Sequence, residues 1–198
     1  MPTPKEQSFD EAYYERFYES KKTRVYGAQE IAHLARGVTE MIAWYGGDLA
    51  SVLDVGAGTG LWRDWFHANK PKVRYVSTEV SPYACERYGH ELRDIATWRG
   101  NERFDLIVCQ GVLPYLSNEA TERAIANLAA MSRGFLYLEA ITTHDLAEVC
   151  DNTFTDQAVR ARSARWYRAR LARWYVNLGC GLYYAKSGPL VFYDLERA

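Results

Sequence analysis

Asp54, Gly56, Gly58 and Gly60 alternate along one short stretch, where an apolar run over residues 51–55 meets three closely spaced glycines. Glycine carries no Cβ and reaches positive-φ backbone easily, so such a bend lets main-chain groups approach a ligand; without one it is a tight strand-to-helix turn. A carboxylate beside Val52, Leu53 and Val55 is costly unless paired. Either neighbouring amides satisfy Asp54, or it meets a cationic or hydrogen-bonding ligand. A dinucleotide turn reads G-x-G-x-x-G, and here the third glycine arrives one residue early. Together with the Gly56 carbonyl, Asp54 suits the amine of a zwitterionic amino acid better than a pyrophosphate. Glu79 closes a second apolar run, where a carboxylate accepts both hydroxyls of a ribose or stands as a solvated loop acid. Asp94 offers an acceptor for an adenine amino group, with Val80 or Ile95 against the ring; the alternative is a surface acid.

These residues need strands that end at one rim. Phe9, Tyr13, Tyr14, Phe17 and Tyr18 recur at helical spacing after a tail over residues 1–8, and a longer helical stripe runs from Ile31 to Tyr45 before Gly46 and Gly47. Strands are expected over 51–55, 73–78, 91–93, 104–109 and 135–138, and helices over 60–68, from Ser81 and Pro82 to Gly89, and over 118–131 with its end at Gly134. Strands alternating with helices imply a parallel sheet covered on both faces, with ligands beyond the strands' carboxyl ends. Gln110 falls at the end of the fourth strand and Glu139 at the end of the fifth. Further on, an arginine-rich helix is expected over 156–174, then antiparallel strands over 176–185 and 190–195 joined by residues 186–189.

At 198 residues, 48% apolar and 25% charged, the chain has the makings of an ordinary globular domain. A net charge of −1 gives no general attraction to nucleic acid or anionic membrane. The longest apolar runs fall well short of a membrane span, and the four cysteines are dispersed without metal-ligand spacing. A cytoplasmic address and no metal site are expected.

The bend, the acids after the second and third strands, the strand Phe104-Asp105-Leu106-Ile107-Val108 and the closing hairpin follow the order of the class I S-adenosylmethionine-dependent methyltransferases, which residues 49–195 resemble. The resemblance implies an α/β fold: a three-layer, Rossmann-like, seven-stranded, mostly parallel sheet with its last strand antiparallel, here with an N-terminal helical cap. One domain over 1–198 follows, with the cap over 1–47 and the cofactor-binding core over 48–198. It implies S-adenosyl-L-methionine as cofactor, held by Asp54, Gly56, Ala57, Gly58, Gly60, Glu79, Val80, Asp94, Ile95 and Gln110. Members acting on nucleobase amines carry an Asn/Asp-Pro-Pro-Tyr-type motif after the fourth strand. This chain has Gln110-Gly-Val-Leu-Pro114-Tyr115 instead, which turns the expectation toward a small-molecule acceptor and away from nucleic acid.

Methyl transfer of that kind needs positioning and water exclusion more than a nucleophilic side chain. His144 is a candidate base on the right rim, with His33 within possible reach from the cap, or else it begins a helix; His90 is expected at the wrong edge and His67 late in its helix. The N-terminal aromatics are core or lid, with Tyr26 the best lid candidate, and Arg24 is an exposed cation or a partner for the cofactor's carboxylate. The six arginines of residues 158–173 with Trp166 and Tyr167 are a solvated face, or a docking surface for an RNA or protein acceptor. A non-catalytic S-adenosylmethionine-binding module is the remaining alternative.

Overall fold

The structure, a computed structural model, describes residues 9–198, and the expected tail over 1–8 lies outside them. Asp10 caps α1 (Glu11–Tyr14), accepting from Tyr13 N, and the chain continues as a π-helical turn, Glu15–Glu19. The helix α2 (Ala28–Trp44) buries Ile31, Ala35, Val38 and Ile42 as the stripe predicts, while Met41 at the stripe's flank is exposed. Then follow β1 (Ser51–Val55), α3 (Leu61–Asn69), β2 (Arg74–Glu79), α4 (Pro82–Tyr88), β3 (Glu91–Leu92), β4 (Phe104–Gln110), α5 (Asn118–Met131), β5 (Ser132–Glu139), α6 (Thr143–Glu148), α7 (Ala164–Leu171), β6 (Tyr175–Gly179) and β7 (Leu182–Ala185). Ser81 caps α4 by accepting from Ala84 N, and Gly89 ends it at φ 75°.

The seven strands lie in the order β3-β2-β1-β4-β5-β7-β6. The first five strands pair in parallel, and β7 is antiparallel to both β5 and β6, so β7 alone runs against the sheet. Strand order reverses beside β1, with β2 on one flank and β4 on the other, and a crevice opens there beyond the carboxyl ends. Alternate strand residues go to opposite faces. Leu53, Ile107 and Leu136 pack under α5 and α7, whereas Val52, Leu106 and Val108 pack under α2 and α3. Three layers result. Of the expected N-terminal cap, the aromatic segment covers the crevice and α2 lies along the sheet.

Three expectations need correction. The helix α5 gives way to strand at Ser132, and Gly134 sits inside β5, where a Cβ would stand 2.6 Å from the Asp105 carbonyl. The hairpin turns at Gly179, Cys180 and Gly181, all at positive φ, inside what reads as one strand, and residues 190–195 hold only a 3-10 turn at Asp194–Glu196. The arginine-rich helix shrinks to α7, because Arg162 is buried in a β-bridge with Thr142 and donates to the carbonyls of Leu113, Leu116 and Arg160.

The opposite edge of the sheet is tied by Asp105. Its carboxylate accepts from Ala50 N, Ser51 N and Ser51 Oγ at 2.8–3.0 Å and from Arg133 Nε at 2.6 Å. Burial pushes its pKa up, but the bonds from Arg133, Ser51 and Ala50 outweigh that and hold it below the usual carboxylate range.

Candidate functional site

Gly56, Gly58 and Gly60 all have positive φ, at 69°, 58° and 81°. A Cβ at Gly56 would stand 2.3 Å from Val112 Cγ2, so the backbone there passes too close to the loop after β4 for a side chain. Over Gly58 lies the edge of the Tyr18 ring, 3.3 Å from where a Cβ would be. The amides of Gly56 and Ala57 both donate to Thr78 O, and Gly60 begins α3. The bend is thus fixed from the side of β2, with its open face toward the crevice.

Glu79 is buried at the end of β2 and belongs to the bend as much as to the strand. Its Oε2 accepts from Gly58 N at 3.0 Å, and Oε1 accepts from Val80 N and Ser81 N at 2.6 and 3.2 Å. On the far side of Gly58, its carbonyl accepts from His90 Nε2 at 3.1 Å, while the His90 Nδ1 lies 2.8 Å from Ser77 Oγ. Burial lowers the His90 pKa, which favours the neutral ring. The expectation that His90 lies at the wrong edge is therefore corrected. β3 is two residues long and pairs only with the end of β2, so its start is already at the rim.

Two adjoining cavities occupy the crevice. The larger, about 420 Å³, is lined by Gly56, Glu79, Val80, Asp94, Ile95 and Gln110, with Arg93 and Arg160 also present. Asp94 Oδ1 accepts from Ala96 N at 2.8 Å, which fixes the carboxylate at the cavity's edge. The smaller, about 130 Å³, is lined by Asp54, the bend from Gly56 to Thr59, Trp62, Gln110, Glu139 and Asp156. Gly56, Gln110, Gly111, Tyr13, Tyr18 and Tyr115 line both.

Asp54 is 2% exposed, and its Oδ2 accepts from Tyr75 Oη at 2.8 Å. Burial pushes its pKa up to about 7, against the Tyr75 hydrogen bond that lowers it, with Glu79 adding a smaller upward push and Arg63 a smaller downward one. The amide of Gln110 bridges two residues, accepting from Trp62 Nε1 at 2.8 Å and donating to Glu139 Oε2 at 3.2 Å. Above these groups, Tyr13 Oη and Tyr115 Oη lie 2.9 Å apart, and Tyr115 donates to Asp156 Oδ2 at 3.0 Å. That chain ties the N-terminal aromatics to the loop after α6, across the mouth of the crevice.

The sequence-predicted residues Asp54, Gly56, Ala57, Gly58, Glu79, Val80, Asp94, Ile95 and Gln110 all line one cavity or the other, and Gly60 shapes the bend behind them. His144 lines neither; it is exposed in the first turn of α6, which Thr142 caps by accepting from Asp145 N. His33 and His67 are exposed on their helices. Tyr26 does reach the site, donating to Glu139 Oε1 at 3.4 Å, whereas the Arg24 guanidinium lies against Gly27. Two of the arginines expected on a solvated face, or on a docking surface, serve the fold: Arg162 as above, and Arg170 paired with Glu122 and 3.6 Å over the Trp166 ring. Trp62, His90 and Tyr115 are site residues that periodicity could not single out, since each reads as core or as a turn. Among the described residues, no helix is long and apolar enough to cross a membrane, and no group of three His, Cys, Asp or Glu could hold a metal ion.

A family model described as a methyltransferase domain matches residues 26–179. No curated protein matches the chain by sequence. Solved structures share its fold. One is an S-adenosylmethionine-dependent methyltransferase from Clostridium acetobutylicum, with a TM-score of 0.58 and 14% identity over 78% of this chain and 91% of that one. Another is the N-methyltransferase NodS from Bradyrhizobium japonicum, in complex with S-adenosylhomocysteine, with a TM-score of 0.55 and 18% identity over 80% and 87%. A third is an amino pentose methyltransferase from Micromonospora echinaspora, with S-adenosylmethionine bound, at a TM-score of 0.57 and 20% identity over 78% and 90%.

Proposed function

This chain belongs to the methyltransferase-domain family and is an S-adenosylmethionine-dependent enzyme, and from that premise we propose that it transfers a methyl group to a small-molecule acceptor by direct in-line displacement. The observation that carries the proposal is the meeting of the two cavities at Gly56, Gln110 and Gly111: a large one beside Glu79, and a small one lined by aromatic rings.

The residues present fit the cofactor. The bend has no room for a Cβ at Gly56 and little at Gly58, which leaves main chain as its ligand-facing surface. Glu79 would take the ribose hydroxyls, Val80 and Ile95 would flank the adenine, and Asp94 would receive its amino group. Asp54, the carbonyl of Gly56 and the backbone to Gly60 would hold the amino-acid end. When bound, S-adenosylmethionine supplies a methyl group on a positively charged sulfur, which is already activated for displacement. The remaining work falls to the protein: Gln110 stands where the cavities join, and Tyr13, Tyr18, Tyr26 and Tyr115 exclude water and orient the acceptor.

The small volume of the second cavity and the structural use of Arg162 and Arg170 favour a small acceptor over RNA or protein docking. A cytoplasmic setting, suited to four free cysteines, belongs to the same proposal. The protein incubated with methyl-labelled S-adenosylmethionine and fractionated cell extract is expected to place label in the low-molecular-weight fraction. Label confined to RNA or protein would overturn the small-molecule reading.

A further inference from the structure

The smaller cavity holds three carboxylates, Asp54, Glu139 and Asp156, and among the described residues its lining contains no lysine, arginine or histidine. Around them stand the rings of Tyr13, Phe17, Tyr18, Tyr26, Trp62 and Tyr115. Acidic groups among aromatic faces complement a cation, through charge and through the ring quadrupoles. Glu139 is the informative member. Among the described residues its donors are all neutral: Tyr26 Oη on Oε1 at 3.4 Å, with Gln110 Nε2 and Tyr137 Oη on Oε2 at 3.2 and 3.3 Å. No ion pair among the described residues reaches it; those present join other carboxylates to arginines. Burial pushes its pKa up, as expected of a carboxylate lacking a cationic partner, and the same three donors only partly offset this.

In the reading above the cofactor's ammonium is placed at Asp54 rather than at Glu139. Asp54 lies one residue short of the end of β1 and Glu139 ends β5, with β4 between them, so their backbones stand two strand spacings, roughly 10 Å, apart. An amine held beside Asp54 therefore sits on the β1 side of the cavity, and Glu139 faces it from the β5 side. We propose that the acceptor is a small organic amine whose nitrogen is bound by Glu139 beneath the aromatic rings. This rests on the methyltransferase reading above and names the acceptor class of that same site. The amine arrives as an ammonium and its proton passes to the Glu139 carboxylate. The freed lone pair then forms the N–C bond to the methyl carbon as the C–S bond breaks, and that bond's electron pair stays on sulfur. A neutral alcohol gains no such charge complement, and an acidic acceptor is repelled.

The test measures binding by calorimetry to the full chain saturated with S-adenosylhomocysteine, whose neutral sulfur leaves Glu139 uncompensated. The probes are matched pairs: benzylamine and benzyl alcohol, cyclohexylamine and cyclohexanol, and 1,4-diaminobutane and 1,4-butanediol. At least one amine is expected to bind tenfold or more tightly than its alcohol. That preference should fall below twofold in Glu139→Gln and persist in part in Glu139→Asp, which keeps the charge; melting curves of both variants check the fold. Alcohols binding as well as their amines in every pair, or an amine preference surviving in Glu139→Gln, overturns the inference while leaving the methyltransferase reading intact. A wild-type chain that fails to bind S-adenosylhomocysteine removes both.

Discussion

Glu79→Ala is expected to weaken S-adenosylhomocysteine binding by at least about 100-fold, since hydrogen bonds to a charged group contribute about 1.5–3 kcal/mol each and the ribose offers two hydroxyls. The loss has a second source in this chain. Glu79 also accepts the amides of Gly58, Val80 and Ser81, so removing the carboxylate unties the bend from the end of β2. Glu79→Gln separates the two contributions: the amide keeps the shape and one acceptor atom, and should lose about tenfold. Calorimetry on the folded variants decides it. Affinity within threefold of wild type in Glu79→Ala would remove Glu79 from the cofactor seat.

The second large effect concerns Asp54 and has opposite signs for stability and for binding. Its folded pKa is raised from 3.8 to about 7, chiefly by burial. Between those values the folded chain holds a proton that the unfolded chain has released, so this group's contribution to stability falls as pH rises and levels off above the folded pKa. A shift of that size corresponds to roughly 4 kcal/mol. Asp54→Asn keeps a partner for the Tyr75 hydroxyl but cannot ionise. The variant's stability advantage over wild type should therefore grow by about 4 kcal/mol from pH 4 to pH 8, or about 8–16 °C in melting temperature for a chain of this size. Binding moves the other way. An ammonium beside Asp54 favours the ionised form, so cofactor binding to wild type releases a proton near pH 6, and Asp54→Asn binds more weakly with no such release. A stability difference that does not change with pH would show that Asp54 is not titrating in the folded chain.

The glycine bend, the acids at the ends of β2 and β3 and the alternation of strands and helices were legible in the sequence because each is a local signal: spacing, a run, a cap. Ser81 before Pro82 with Gly89 beyond marked α4 to the residue. What was not legible depends on contacts between distant segments. Nothing local says that His90 will meet the Gly58 carbonyl, that Trp62 will reach Gln110, or that Tyr115 will join Tyr13 to Asp156. The hairpin was misplaced for a related reason. Residues 176–185 are rich in apolar and aromatic types on both sides of Gly179 and Gly181, so the run reads as one strand, and only the positive φ values from Gly179 to Gly181 reveal the turn. The arginine-rich segment looked helical by composition, yet Arg162 is drawn inward by three carbonyls and Asn118 before α7 begins. The charge pattern of the smaller cavity is likewise tertiary, since the sheet order brings Asp54 and Glu139 together and the loop after α6 adds Asp156.

The central claim is that the bend at residues 56–60 and the carboxylate of Glu79 converge on one adenosyl-amino-acid ligand. A crystal structure of the protein grown with S-adenosylhomocysteine tests it most directly. The account predicts density through the larger cavity, with the ribose hydroxyls on Glu79, the adenine between Val80 and Ile95, and the amino-acid end along Gly56 to Gly58 beside Asp54. Density elsewhere, or a ligand that leaves the bend empty with Glu79 bonded only to its own amides, would contradict it.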